Sequence, residues 1–201
     1  MKLGIIGAGG IAQAIAKQAL RAGYEVVLSN SRGPDSLKAV VHSLGKGANA
    51  GTKQEAASQE VVFVSVPWPK LKDALKDLPS WNGRIVVDTN NPISAPDFKL
   101  ANLGGRTSSE VVQELVPGAN LVKAMNTLPP ETLESDASQE SGQRVLFISG
   151  EDVRSKQKVA GIFERMGFAP IDLGGLAGGG SLYQFPGGPL AAQNLMRLPL
   201  R

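Results

Sequence analysis

The sequence predicts an α/β protein built on a doubly wound, mostly parallel sheet, and three observations carry that prediction. Residues 2–32 read as strand, glycine turn, helix and second strand. Later apolar runs alternate with stretches whose apolar residues recur at helical spacing, the βαβα order a parallel sheet requires. One run, 60–66, is almost continuously apolar, as a strand covered on both faces must be.

In chain order, residues 3–6 form the first strand and Gly7-Ala8-Gly9-Gly10 the turn after it. Ile11, Ile15, Ala16, Ala19 and Leu20 then follow helical spacing, and Gly23 stands where a helix ends in a left-handed residue. Residues 24–28 begin the second strand. Gly33 and Pro34 open a helix whose apolar face is Leu37, Val40, Val41 and Leu44. His42 within it reads as a surface or half-buried helix residue, because no partner residue points at it.

Residues 48–51 give a short third strand, and Thr52 with Glu55 a capping box that starts a brief helix. The fourth strand, 60–66, ends at Pro67-Trp68-Pro69. An amphipathic helix on Leu71, Ala74, Leu75 and Leu78 follows, terminated by Pro79. The fifth strand, 84–88, runs into Thr89-Asn90-Asn91-Pro92; Asp88 reads more readily as a loop cap than as a base. Thr107 and Glu110 cap the next helix, which Pro117-Gly118 closes. A sixth strand covers 120–125, with Lys123 its one charge, and leads into the loop 126–130.

Residues 132–143 are polar and Ser-rich, which marks a surface connection between a nucleotide-binding part, 1–131, and a small C-terminal α/β extension, 132–201, completing an acceptor crevice. The extension reads as a strand at 144–149, a helix at 152–166 with Gly167 beyond it, and a strand at 168–173. The stretch 174–189 holds seven glycines, so its backbone bends sharply or approaches something closely. An apolar helix, 190–198, is expected after it, with Pro189 at its start.

The chemistry begins at the first turn. Gly7 permits a tight bend, Gly9 leaves room for a diphosphate against bare backbone, and Ala12 takes the third position, where a small residue lets helix meet strand. Amides at the helix start favour the negative charge. This G-x-G-x-x-A lies between strand and helix in a βαβ-length unit, the context of a Rossmann-like dinucleotide fold. A site for NAD(H) carries Asp or Glu about 20 residues after the glycines. Here Ser29-Asn30-Ser31-Arg32 stands instead: Arg32 offers a permanent, planar cation to a 2′-phosphate, and Ser29 and Ser31 offer hydroxyls. NADP(H) is therefore the expected cofactor.

In doubly wound sheets ligands sit beyond the carboxyl ends of the strands. Three successive strands end in polar or proline loops, at Pro67-Trp68, Asn90-Asn91 and Ala124-Met125-Asn126, which together read as the lining of one crevice. Pro67 suits a rigid wall for the cofactor, whereas Trp68 fits core and crevice equally.

Composition narrows the alternatives. The chain has 201 residues, enough for one good core. A net charge of +3, with Lys and Arg scattered among acids, gives little support for nucleic acid as a partner despite a pI near 9.2. With no Cys and one His, disulfide frameworks, thiolate sites and His-rich zinc sites are excluded. The start reads as a core strand and not a signal peptide, and no run of about 18 apolar residues exists to span a bilayer, so the expected setting is the cytoplasm, without a membrane partner.

The motifs IIGAGGIAQAIA, VVLSNSRG, VSVPW, VVDTNNP, LVKAMNTLP, VLFISGED and DLGGLAGGGSLYQFPGGPLAAQNLMRL together resemble the NADPH-dependent reductases of the deazaflavin coenzyme F-420 and their domain relatives, over nearly the full chain. The resemblance implies hydride transfer between NADP(H) and a deazaflavin or flavin-like ring as small-molecule acceptor. It implies that Gly7, Ala8, Gly9, Gly10 and Ile11 hold the diphosphate, and that Asn30, Ser31 and Arg32 surround the 2′-phosphate. Val66, Pro67, Trp68, Leu71, Asn90, Asn91, Ala124, Met125 and Asn126 would border the nicotinamide side. No catalytic acid or base is expected, since transfer between two stacked rings needs alignment above all. A homodimer is expected, with the glycine-rich stretch shaping the acceptor pocket or a dimer contact. Two other readings stand beside this one: an imine reductase resembling pyrroline-carboxylate reductases, and an NADPH-binding redox sensor without turnover.

Overall fold

The computed structural model describes residues 1–94, 96–139 and 142–199. The chain begins with β1 (Lys2–Ile6), α1 (Gly10–Arg21), β2 (Glu25–Ser29), α2 (Lys38–Leu44), β3 (Ala48–Ala50), α3 (Lys53–Ala57), β4 (Val61–Val64), α4 (Leu71–Leu75) and β5 (Ile85–Asp88). A small hairpin, β6 (Ile93–Ser94) with β7 (Lys99–Leu100), precedes α5 (Ser108–Leu115), β8 (Asn120–Ala124) and α6 (Pro130–Glu134). The remainder comprises β9 (Ser138–Gln139), β10 (Gly142–Gly150), α7 (Val153–Arg165), β11 (Ala169–Asp172), α8 (Gly178–Leu182) and β12 (Met196–Arg197).

The main sheet has the order β11-β10-β8-β5-β4-β1-β2-β3. The six strands from β3 to β8 are mutually parallel, which is the Rossmann order with β8 as the sixth strand. β10 then enters antiparallel to β8, with Ile148 opposite Ala124, and β11 runs parallel to β10. Both faces are covered. Val61 and Phe63 join the core under α1 and α7, while Val62 and Val64 join the core under α3, α4 and α5. The unbroken apolar run is thus two interleaved alternations, one for each face.

Several local signals act as the residue chemistry dictates. After α1 the N–H groups of Gly23 and Tyr24 reach back to Leu20 O and Ala19 O at 3.0 and 2.9 Å, with Gly23 at φ +79. Both capping boxes form, at Thr52/Glu55 and Thr107/Glu110, and Asp152 caps α7 through Ser155 N at 2.7 Å. His42 is exposed on α2.

Elsewhere the structure corrects the sequence. The helix expected from Pro34 to Leu44 opens as a 3-10 turn, Pro34–Leu37, before α2. The helix expected to reach Leu78 ends at Leu75, because Lys76 turns extended and Asp77 takes φ +58. Residues 132–134, read as the start of a surface connection, belong to α6, which rests on α1: Gln18 Nε2 donates to Leu133 O and Ser135 O at 2.7 and 2.8 Å, and Leu133 is fully buried. Within that same predicted connection, Glu140 and Ser141 lie outside the described residues.

The expected helix at 190–198 is absent. Ala192 has φ +58, and the chain continues extended, with Val145 N donating to Leu195 O at 2.9 Å and β12 pairing antiparallel with Gln143 and Arg144 of β10. β10 projects past its contact with β8, and the backbone groups left there recruit the terminal segment as a strand. A nine-residue apolar helix has too few turns to compete with such pairing.

Candidate nucleotide crevice

The turn after β1 is built around Gly7. Its φ of +127 disfavours any side chain, and a Cβ there would lie 1.9 Å from Ser65 O at the end of β4. Gly7 N donates to Ser29 O at 2.9 Å, so the turn ties β1 to β2. A Cβ on Gly9, by contrast, would meet nothing within 4 Å, leaving open space over the start of α1. No side chain caps that helix, and Gln13 Nε2 instead braces the turn through Ala8 O at 2.9 Å. Ala12 is fully buried between helix and sheet. Gly10 begins the helix and faces Pro130 across a gap that a Cβ would close to 3.0 Å; Ile11 is half-buried.

At the end of β2 the Asn30 side chain shapes the next loop. Its Oδ1 accepts from Arg32 N at 2.9 Å, and its Nδ2 donates to Ser36 Oγ at 2.9 Å. Ser31 and Arg32 are exposed, and among the described residues Arg32 enters no ion pair. Ser29 is different: it is fully buried and its hydroxyl donates to Ile5 O at 3.2 Å, so it faces β1 rather than the loop.

The three loops beyond β4, β5 and β8 do meet on one rim. Asn90 Oδ1 accepts from Val66 N at 3.0 Å, while its Nδ2 donates to Val64 O and Asp88 Oδ1 at 3.0 and 2.8 Å. Asn91 Nδ2 donates to Asn126 O at 2.7 Å, and Asn126 Nδ2 donates back to Asn91 Oδ1 at 3.0 Å. Pro67 is exposed, and Val66 and Trp68 are half-buried against the core under α4. Leu71, Ala124 and Met125 are buried and back this rim from within.

Beneath the rim lies a pair that the sequence reading did not join. Lys123 Nζ is 3.1 Å from Asp88 Oδ2, with both side chains buried. Lys123 also donates to Asn90 O, and Ser109 Oγ donates to Asp88 Oδ2 at 2.9 Å. Burial pulls the Lys123 ammonium below its ordinary pKa, and the attraction of Asp88 offsets part of that. The signal was available: Asp88 follows the apolar run Ile85–Val87, Lys123 follows Leu121 and Val122, and the register of β5 with β8 sets the two charges side by side.

The glycine-rich segment reaches the same rim. Asn126 Nδ2 donates to Tyr183 O at 2.9 Å, Phe185 N donates to Asn91 Oδ1 at 3.2 Å, and Ser108 N donates to Gln184 Oε1 at 2.6 Å. Tyr183 is fully buried; its hydroxyl donates to Lys123 O at 2.8 Å, and burial raises its pKa so that the phenol stays protonated. Next to Gln184 a recess of about 450 Å³ is lined by residues 100–106.

Residues 2–92 match the family model described as NADP oxidoreductase, coenzyme F420-dependent. The chain is 43% identical to the hypothetical protein SMa0349 from Sinorhizobium meliloti, whose crystal structure it matches at a TM-score of 0.92 over 98% of this chain and 96% of that one. A proposed F420-dependent NADP-reductase from Arthrobacter sp. FB24 shares the fold, with a TM-score of 0.74 and 24% identity over 88% of this chain and 86% of that one. The chain is also similar to metalloreductase STEAP3 of Rattus norvegicus, 30% identical over 177 residues, or 88% of this chain, and spans about a third (34%) of that relative's length. No helix among the described residues is long and apolar enough to cross a membrane.

Proposed function

We infer from the match of residues 2–92 that the chain is related to the coenzyme F420-dependent NADP oxidoreductases. We propose that it binds NADP(H) along the carboxyl ends of β1, β2, β4, β5 and β8 and reduces a planar, flavin-like small molecule. The fit rests on the residues themselves. Open space over Gly9 and the uncapped start of α1 suit a diphosphate, held by Gly7, Ala8, Gly9, Gly10 and Ile11. Ser31 and Arg32 would hold the 2′-phosphate, in a loop whose shape Asn30 fixes.

Val66, Pro67 and Trp68 would form one wall of the nicotinamide side, and Asn90 fixes that wall by accepting from Val66 N. NADPH bound there would supply a hydride to the acceptor ring, and bulk solvent outside the crevice would supply the balancing proton. The protein's own task is then alignment and exclusion of water from two apposed rings, which accounts for a rim of amides and prolines in place of acids and bases. The rat relative's name assigns it metal reduction, so this scaffold is compatible with more than one acceptor.

The observation that carries the reading is the exposed Arg32 guanidinium, free of any ion pair among the described residues, at the end of β2. Titration of NADPH and NADH into wild type and Arg32→Ala tests it. Loss of a charge-assisted contact worth about 1.5–3 kcal/mol weakens NADPH binding by roughly 10- to 150-fold and leaves NADH unchanged. Equal loss for both cofactors would overturn the assignment.

A further inference from the structure

Asn91 and Asn126 stand at the carboxyl ends of β5 and β8, where a cofactor contact is the obvious role for an amide. Their hydrogen bonds go elsewhere. The two side chains bond to each other, Asn126 Nδ2 at 3.0 Å from Asn91 Oδ1. Asn91 Nδ2 donates at 2.7 Å to the Asn126 carbonyl, which fixes the β8 loop against the β5 loop. The same pair grips the returning chain on both sides of Gln184, through Tyr183 O at 2.9 Å and Phe185 N at 3.2 Å. Asn126 Oδ1 is buried and has no hydrogen-bond partner among the described residues.

The gripped residue between them is fixed as well. Gln184 Oε1 accepts from Ser108 N at the start of α5, and Gln184 borders the recess beside residues 100–106. Leu100, which lines that recess, is 53% exposed, an apolar surface that the fold itself does not cover.

Resting on the function proposed above, we propose that Asn91 and Asn126 are positioning residues whose side chains clamp Tyr183–Phe185 across the ends of β5 and β8. The clamped segment is the acceptor-side wall of the crevice and, with the recess beside Gln184, admits a planar, largely apolar acceptor. Two amides can do this because a backbone carbonyl and a backbone N–H two residues apart present complementary groups to one Asn pair. Removing either amide releases the segment while leaving the glycine turn and Arg32 in place.

The test compares wild type with Asn91→Ala, and with Gln184→Ala as a second variant that leaves the buried Asn126 untouched. Amide exchange is followed by NMR, NADPH affinity by fluorescence titration, and kinetics with free flavin mononucleotide as acceptor. In Asn91→Ala the Phe185 amide exchanges at least tenfold faster, and in Gln184→Ala NADPH affinity stays within twofold of wild type. In both variants KM for the flavin rises severalfold. Unchanged exchange at Phe185 in Asn91→Ala, a tenfold loss of NADPH affinity in Gln184→Ala, or an unaltered flavin KM in both variants would overturn the proposal. A wild-type protein that binds no NADPH would instead sink the function proposed above, and the exchange comparison would still decide whether the clamp exists.

Discussion

Lys123 and Asp88 face each other in register on β8 and β5, with Nζ 3.1 Å from Oδ2 and neither side chain open to solvent. Removing one partner of such a pair leaves a buried charge unopposed. Lys123→Met should therefore cost about 3–5 kcal/mol in urea unfolding, and Asp88→Asn with Lys123→Met together should cost less than the sum of the two single changes. Strictly additive losses would mean that the two charges do not interact.

Gly7→Ala tests the turn. The φ of +127 alone penalises a side chain by about 1–3 kcal/mol, and the Ser65 carbonyl blocks the Cβ outright. The variant should show a lower urea midpoint and lose NADPH binding. Gly9→Ala, with no neighbour within 4 Å, should keep wild-type stability while still losing affinity. Equal unfolding midpoints for wild type and Gly7→Ala would contradict the geometry.

The Thr107 capping box makes stability depend on pH. Glu110 accepts from Thr107 N and Oγ1 at 2.7 and 2.9 Å, and these bonds hold its carboxyl below the ordinary 4.5. A depressed folded pKa stabilises the protein above pH 4.5, and that contribution disappears as pH falls from 4.5 through the lowered value. Glu110→Gln should flatten this acid limb in thermal melts, and Thr107→Ala should cost about 1 kcal/mol at neutral pH. An acid limb of wild-type steepness in Glu110→Gln would assign the effect to other carboxylates.

Leu133 on α6 is buried against α1, and its carbonyl accepts from Gln18. Leu133→Ala should destabilise by about 2–5 kcal/mol, the usual range for a truncated core leucine. A loss under 0.5 kcal/mol, the scale of ordinary surface substitutions, would show that α6 is dispensable to the core.

What the sequence made legible was local. The Gly7 turn, the Gly23 and Gly167 stops, both capping boxes and the two-faced burial of β4 each depend on residues close together in the chain, so spacing alone reveals them. The convergence of Val66, Asn90, Asn91 and Asn126 followed from the rule that parallel strands end on one side. The misreadings involve distant partners. Apolar spacing at 190–198 suggested a helix, but the open edge of β10 decided the outcome; the polar composition of 132–143 suggested a surface connection, but α1 offered its first residues a surface. Spacing also cannot tell what an amide bonds to, and the engagement of Asn91 and Asn126 with the returning chain was invisible without coordinates.

The reversal of strand direction between β8 and β10 shapes how this scaffold can diversify. β10 and β11 both run against β8, and β11 ends at Asp172, level with Ile148 and with Ala124 at the rim. The chain that leaves β11 therefore starts at that rim, so exchange of residues 174–189 would alter the surroundings of the proposed crevice without disturbing the Gly7 turn or Arg32.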